Sequence, residues 1–227
     1  VWYMRKKREF LRQRFFQQIN RVRMENLRSR ISPHFTFNVL GREINQFNGS
    51  EEVKHNLMEL VKYLRRSLEL TEKLSVSLQD ELDFVRTYIE LERGRVGEDF
   101  VATITVEDGL DAIRIMIPSM IVQIPVENAI KHGLAGKDGK KELMVYVSRE
   151  TNGIRITVTD NGRGYLPQVV SATRGTGTGL KVLYQTIQLL NTKNKSDKIR
   201  FNITNRSDGQ TGTEVSVYIP FRFSYDL

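Results

Sequence analysis

The chain has 227 residues, of which 39% are hydrophobic and 27% charged, so it has enough apolar side chains to bury a sizeable core. It contains no cysteine and three histidines, which excludes disulfide scaffolds, zinc–thiolate sites and cysteine nucleophiles and argues against a histidine-rich metal site. The net charge of +8 lies wholly in residues 1–30, so the charge-neutral remainder is not a basic nucleic-acid-binding surface.

The basic N-terminal segment has the pattern found at the cytoplasmic end of a membrane-spanning helix. Trp2 and Tyr3 precede a basic cluster at 5–8, and aromatic residues followed by basic ones are typical of that position. We therefore expect residues 1–30 to be a basic juxtamembrane helix, with a narrow apolar seam suited to pairing, in a longer membrane protein. A solvated basic helix and an RNA-binding arm are the alternatives.

A helical hairpin is predicted for residues 31–74. Residues 34–47 favour a helix, residues 48–50 a turn, and leucines spaced by three and four predict a strongly amphipathic helix over about 51–71. One hairpin has a thin core, whereas two hairpins from two chains form a four-helix bundle. We therefore expect a homodimer.

Residues 75–227 are predicted to form an α+β domain with a mixed sheet and helices on one face. Residues 74–78 are expected to be a short connection, after which Ser77 caps a helix over about 78–93. The other predicted elements are strands at 100–106, 143–147, 154–160, 199–204 and 214–219, helices at 119–133 and 179–191, and a strand turn at Asn152-Gly153.

The first candidate motif places three polar side chains on one predicted helix. Asn128, Lys131 and His132 are spaced by three and four residues and so share a face. An amide, an ammonium and an imidazole on one face suit a nucleotide phosphate and its Mg²⁺, which accepts an amide oxygen. The alternative is a helix end with favourable C-terminal charges and Gly133 as its cap.

The second motif, residues 159–164, follows a predicted strand directly. A carboxylate at the end of a strand, here Asp160, can accept a hydrogen bond from an exocyclic amine. Gly162 and Gly164 permit a close backbone approach to a flat base. The alternative is a β-turn, since Asn-Gly is a strong turn signal by itself.

The third motif is a glycine-rich loop before a helix. Gly175, Gly177 and Gly179 alternate with threonines and precede Leu180. Such a loop at a helix N-terminus presents backbone N–H groups to phosphates. Neither the Rossmann nor the Walker A spacing is present.

In this order the three motifs resemble the N, G1 and G2 boxes of the GHKL ATPase superfamily, with an ATP lid at 165–174. A fourth motif, Pro-His-Phe-Thr-Phe-Asn within residues 31–38, resembles the phosphoacceptor signature of LytS/YehU-type sensor histidine kinases. Residues 126–133 are similar to that family's version of the N box. The resemblance covers about residues 28–220.

The resemblance implies the kinase core of a two-component sensor, which autophosphorylates His34 with ATP and passes the phosphoryl group to an aspartate of a response-regulator receiver domain. Asn38 would orient His34, and Asn128 would hold Mg²⁺. Glu127 would be either a base or a surface acid. The other residues that the resemblance implies at the ATP site are Lys131, His132, Asp160, Gly162, Gly164, Gly175, Gly177, Gly179 and Leu180.

The resemblance also implies a place on the cytoplasmic side of the bacterial inner membrane. The neutral net charge of residues 31–227 argues against a direct nucleic-acid partner. Arg30, Thr36 and Gly41 differ from the residues usual in that family. They motivate a first alternative, a nucleotide-binding but weakly active dimerising scaffold or phosphatase. A GHKL ATPase that does not use His34 is the second alternative.

Overall fold

The computed structural model describes residues 51–165, 178–194 and 197–225. A π-helical turn, Ala129–Gly133, follows the third helix directly. The helices are α1 (Glu51–Glu72), α2 (Leu78–Val96), α3 (Gln123–Asn128) and α4 (Thr178–Lys193), and the strands are β1 (Ser75–Ser77), β2 (Phe100–Val106), β3 (Met116–Pro118), β4 (Lys141–Glu150), β5 (Gly153–Asp160), β6 (Arg200–Asn205) and β7 (Thr213–Pro220).

The main sheet has five strands in the order β2-β4-β5-β7-β6. β2 and β4 are parallel, and the other three neighbouring pairs are antiparallel, so the sheet is mixed as expected. The parallel pair requires a crossover, and α3 lies in it. β5 occupies the centre of the sheet, which places its last residue, Asp160, at a sheet end flanked by β4 and β7.

The core lies between one face of this sheet and the helices. Alternate residues of the central strands, such as Val145 and Ile156, are buried, as are Leu82 and Val85 of α2. The opposite face of the sheet exposes other strand residues, including Met144. This one-sided burial follows from the period of two in strands and confirms the predicted α+β layer with helices on one face.

Helix α1 packs against α2 through aromatic rings. The Tyr63 ring stacks on Phe84, with centroids 5.0 Å apart, and on Tyr88, with centroids 5.8 Å apart. Ser77 caps α2 as predicted, since its hydroxyl accepts a hydrogen bond from the Asp80 backbone N–H at 3.0 Å. The amphipathic helix predicted from its leucine spacing is therefore joined to the α+β layer.

Three local predictions need correction. The predicted connection at 74–78 contains β1, which pairs with β3. The turn between β4 and β5 is formed by residues 151–152, because Gly153 already pairs with Glu150. The helix predicted from residue 119 begins only at Gln123, since Met120 before it has a φ of 69°.

Several predicted parts lie outside the described residues. They are the segment 1–30, the first helix of the hairpin and most of the lid region. Within the described ranges, no helix is both long enough and apolar enough to cross a membrane.

Candidate nucleotide-binding site

Asp160 is a buried carboxylate at the end of the central strand. Its residue is only 4% exposed, and its Oδ1 accepts hydrogen bonds from the backbone N–H of Gly162 at 2.8 Å and of Thr213 at 3.4 Å. Burial raises the pKa of Asp160, and the bonds from Gly162 and Thr213 act in the opposite direction. The result is a fixed acceptor in a low-dielectric setting.

Three glycines pack closely around Asp160. A β-carbon on Gly162 would lie 2.1 Å from the Gly133 carbonyl oxygen, and one on Gly212 would lie 1.9 Å from the Asp160 carbonyl oxygen. A β-carbon on Gly133 would lie 2.7 Å from Asp160 Oδ1. The close approach predicted for Gly162 is therefore an approach to another backbone segment. Gly164 is required for a different reason, because its φ is +84°.

The turn after β5 joins two motifs that are distant in sequence. Asn161 Oδ1 accepts from the Glu142 backbone N–H at 2.8 Å, which ties the turn to β4. The Arg163 backbone N–H donates to the Gly133 carbonyl oxygen at 3.3 Å, and Arg163 Nη2 donates to the Ala135 carbonyl oxygen at 3.0 Å. The end of the first motif and the second motif therefore form one surface.

A cavity of about 450 Å³ opens on this surface. It is basic, since Lys137 and Arg163 line it, and neither residue was expected at the site. Gly136 and Gly139 flank the pair Lys137-Asp138, and two glycines so close together were a signal of a loop with left-handed residues. The remaining lining residues are Gly133, Ala135, Gly136, Gly162 and Thr211.

Asn128 lies at the end of α3 and is half-buried. Its amide nitrogen donates to the Ile124 carbonyl oxygen at 2.7 Å, so the amide oxygen is the atom suited to a cation. Magnesium in nucleotide sites takes one or two protein oxygens and completes its shell with waters and phosphates. A single amide oxygen therefore fits such an ion.

The chain beyond Asn128 departs from the predicted α-helix. The Leu134 backbone N–H bonds to the Ala129 carbonyl oxygen at 2.8 Å, a five-residue step that widens the turn. The prediction that Asn128, Lys131 and His132 share one helix face assumed α-helical spacing. The chain after Asn128 follows the wider spacing of a π-helical turn instead.

Charged groups of the first motif are already paired or neutral. Lys131 Nζ lies 2.7 Å from Glu127 Oε1, and the Glu127 side chain is only 13% exposed. Burial, assisted by the charge of Lys131, lowers the pKa of half-buried His132, so its imidazole is neutral near pH 7. Glu127 is therefore an acid within an ion pair, beside Asn128.

The third motif is described only in part. Gly179 is buried in the first turn of α4, and Leu180 is half-buried against the core. The predicted site residues His34, Asn38, Gly175 and Gly177 lie outside the described residues. Sequence reasoning gave no site role to Thr213 or Gly212, which the structure places against Asp160.

Family comparisons agree with this arrangement. A histidine kinase model matches residues 22–100. A model of the histidine kinase-, DNA gyrase B- and HSP90-like ATPase matches residues 113–222, which include Asn128, Asp160 and their surroundings. The domain that carries the candidate site is thus an ATPase domain of this type.

The chain is also similar to named sensor kinases. It is 28% identical to sensor histidine kinase YpdA of Escherichia coli K12 over 205 residues, 90% of this chain and 35% of that protein. It is 32% identical to the sensor histidine kinase/phosphatase LytS of Staphylococcus aureus MRSA252 over 197 residues, 83% of this chain and 33% of that protein. It spans about a third of these relatives.

Among solved structures, the histidine kinase domain of the blue-light-activated kinase of Erythrobacter litoralis EL346 superposes with a TM-score of 0.49 at 16% identity, over 83% of this chain and 96% of that one. The two family models together span most of the sequence, and the curated relatives at about 30% identity are sensor histidine kinases. The chain therefore has the histidine kinase and ATPase domains of a sensor histidine kinase, and LytS sensor kinases are among its relatives.

Proposed function

We propose that the chain is the kinase core of a two-component sensor: it binds Mg²⁺·ATP, phosphorylates His34 and passes the phosphoryl group to an aspartate of a response-regulator receiver domain. The observation that carries the proposal is the buried carboxylate of Asp160 beside the basic cavity where two motifs meet. A carboxylate held by backbone N–H groups is a specific acceptor for one amine of a base.

The base would lie at the Asp160 end of the site. Asp160 would accept from the exocyclic amine of adenine, and the bonds from Gly162 and Thr213 hold its carboxylate in one orientation. The glycines around Asp160 let neighbouring backbone pack closely against it, which fixes the position of the carboxylate. Gly164, Gly175, Gly177, Gly179 and Leu180 are proposed to border the nucleotide on the lid side.

The phosphates would lie at the Asn128 end. Asn128 would supply its amide oxygen to Mg²⁺, and the ion would neutralise phosphate charge during transfer. Lys131 is proposed to exchange its bond with Glu127 for a phosphate oxygen. The neutral imidazole of His132 is proposed to contact the nucleotide beside it.

The chemistry would begin at a neutral ring nitrogen of His34. It attacks the γ-phosphorus of ATP, an N–P bond forms, the bond to the β–γ bridging oxygen breaks and ADP leaves. The proton on the other ring nitrogen is then lost, with Glu127 as the candidate base and Asn38 orienting the ring. In the second step a receiver-domain carboxylate attacks phosphorus, the N–P bond breaks, and the ring of His34 leaves as neutral imidazole by taking up a proton.

The proposed setting follows from the same family. Two chains would pair through hairpins formed by residues 31–74, next to the ATPase domain at 75–227. The basic segment 1–30 would adjoin the cytoplasmic face of the bacterial inner membrane as part of a longer protein. The proposed partners are a second copy and a receiver domain, with no direct nucleic-acid partner.

Label transfer from γ-labelled ATP tests this function. The wild type should take up label that survives base and is lost in acid, as a phosphoramidate is. His34→Ala and Asn128→Ala should take up none, whereas His55→Ala, a matched control at another histidine, should be labelled normally. Label that persists in His34→Ala contradicts the assignment of the phosphoacceptor, and an unlabelled wild type contradicts the kinase activity.

A further inference from the structure

Residues 119–122 form a loop that leads from β3 into α3, the helix that ends at Asn128. Met120 in this loop has a φ of 69°, a left-handed conformation that a methionine keeps only where surrounding contacts hold it. Contacts from outside the loop therefore decide where α3 begins and where Asn128 lies.

The strongest of these contacts comes from Glu81 on α2, whose side chain is completely buried. Its Oε2 accepts from the Met120 backbone N–H at 3.0 Å, and its Oε1 accepts from those of Val122 and Gln123, each at 3.1 Å. Hydrogen bonds to an ionised carboxylate are about twice as strong as neutral ones. One side chain thus fixes both the loop and the first residue of α3.

A second set of contacts joins the same loop to the hairpin helix α1. The Ser119 hydroxyl donates to the Leu70 carbonyl oxygen in the last turns of α1. The Ser119 backbone N–H donates to the Leu74 carbonyl oxygen at 3.2 Å, just beyond that helix. Gln123 Nε2 lies 3.5 Å from the hydroxyl of Tyr63, whose ring stacks on α2.

We propose that Glu81 is a positioning residue for the kinase reaction: it holds the 119–122 loop, and through it Asn128, in place against the end of α1. The inference rests on the proposed function and deepens it. Because the loop is bonded to α2 on one side and to α1 on the other, a shift of α1 changes the Asn128 end of the site. The Asp160 end is held by separate bonds from Gly162 and Thr213.

Titration of a fluorescent ADP analogue into the full chain, with Mg²⁺ and with EDTA, tests the proposal. Glu81→Gln keeps the size of the side chain and replaces one acceptor oxygen by a donor. It should weaken binding about tenfold with Mg²⁺ and less than about twofold in EDTA, because only the Asn128 end is displaced. Glu90→Gln, the same change on the exposed side of α2, should bind as the wild type does.

Hydrogen exchange supplies the readout of position. The amides of Met120, Val122 and Gln123 should exchange faster in Glu81→Gln, while those of the central strands keep their protection. Faster exchange at these amides with unchanged Mg²⁺-dependent binding overturns the proposal. Equal weakening with Mg²⁺ and with EDTA overturns it as well.

Ser119→Ala tests whether the 119–122 loop positions Asn128 if Glu81→Gln does not fold. This variant lacks the hydroxyl that joins the loop to α1. Its affinity for the ADP analogue should fall about threefold in the presence of Mg²⁺ and stay unchanged in EDTA. The proposal is overturned if this variant binds the ADP analogue as tightly as the wild type does. It is also overturned if the wild type has the same affinity with Mg²⁺ and with EDTA. Neither titration needs phosphoryl transfer, so a chain that binds normally but leaves His34 unlabelled contradicts the proposed function alone.

Discussion

Asp160 and Asn128 mark two ends of the candidate site, and they are supported differently. Asp160 ends a strand at the centre of the sheet and is enclosed by backbone from three other segments. Asn128 ends a six-residue helix, followed by a π-helical turn and preceded by a loop that a distant carboxylate holds. The first end is built mainly from neighbouring strands, with Gly133 packed against it, whereas the second depends on contacts from α1 and α2.

This difference suggests that the two ends have separate roles, with the base bound at Asp160 and the metal and phosphates bound at Asn128. A base-binding end that is rigid before the nucleotide arrives orders few groups on binding, which favours affinity. The proposed phosphate-binding end is bonded to α1, so under the proposed function a movement of α1 would reach it. Single substitutions at each end test this division.

Gly162→Ala should be the most damaging change. Its β-carbon would lie 2.1 Å from the Gly133 carbonyl oxygen, and backbone cannot move aside cheaply. We expect the free energy of unfolding to fall by about 3 kcal/mol in urea denaturation. Gly94→Ala is the control, because nothing lies within 4 Å of its added carbon. As a change within helix α2 it should stabilise the protein by about 0.5–1 kcal/mol, and equal losses in both variants would contradict the close approach.

Asp160→Asn should separate binding from stability. It removes the carboxylate that is proposed to accept from the adenine amine, so the affinity for ADP should fall at least about tenfold. The free energy of unfolding should change by less than about 1 kcal/mol, since one oxygen remains for Gly162 and a buried charge is lost. Calorimetric titration and urea denaturation measure the two effects. Asp83→Asn, a surface change on α2, should alter neither, and unimpaired ADP binding in Asp160→Asn would remove adenine recognition from this carboxylate.

The raised pKa of Asp160 predicts a pH dependence of binding. Since the folded-state pKa lies above its ordinary value near 3.8, ADP affinity should weaken as the pH falls through that raised pKa and the carboxylate is protonated. The contribution of Asp160 to the free energy of unfolding depends on pH in the opposite direction. It is fully present below the unfolded pKa and is lost as the pH rises through the folded pKa.

The matched control for this pH profile is Asp160→Asn, measured by the same titration. Any dependence that it retains belongs to other groups such as His132, whose pKa is lowered. Parallel profiles for the wild type and the variant would show that Asp160 does not titrate in the binding equilibrium.

Lys131→Gln should have the smallest effect on stability. Its ion pair with Glu127 is partly exposed, so the free energy of unfolding should change by less than about 0.5 kcal/mol. Binding of ATP should nevertheless weaken about threefold through the lost phosphate contact. Lys62→Gln is the control, since Lys62 forms an equally short pair with Glu59. ATP affinities that fall alike in both variants would argue against the phosphate contact.

The elements with strong periodic signals could be predicted from the sequence. The leucine spacing of α1, the cap at Ser77 and the alternation of the longer strands are local patterns, and the structure agrees with them. The strand that ends at Asp160 was likewise predicted from its apolar residues. Local pattern is enough where the neighbours in sequence are also the partners in space.

The elements that were missed depend on distant partners. Three-residue strands such as β1 are too short to show alternation, and β1 forms only because β3 pairs with it. The alternative interpretation of the first motif made Gly133 a helix cap, whereas its need for a small side chain comes from Asp160 in β5. The π-helical turn differs from an α-helix by one residue per hydrogen bond, which sequence spacing does not reveal.

Glu81 left a signal that sequence reasoning did not use. It lies three residues after Leu78 and four before Val85, both of which are fully buried. A carboxylate on the buried side of a helix requires partners, because an unpaired charge there is costly. Its partners are 39 to 42 residues away. The sequence therefore indicated that Glu81 needs hydrogen-bond donors but not which residues supply them.

The affinity for ADP with and without Mg²⁺, measured in Asp160→Asn and Asn128→Ala, tests the division between the two ends most directly. Asp160→Asn should lose the same factor of affinity in both conditions, because the base is bound without the ion. Asn128→Ala should lose affinity only with Mg²⁺ and match the wild type in EDTA. The same loss pattern in both variants would contradict the assignment of one end to the base and the other to the metal and phosphates.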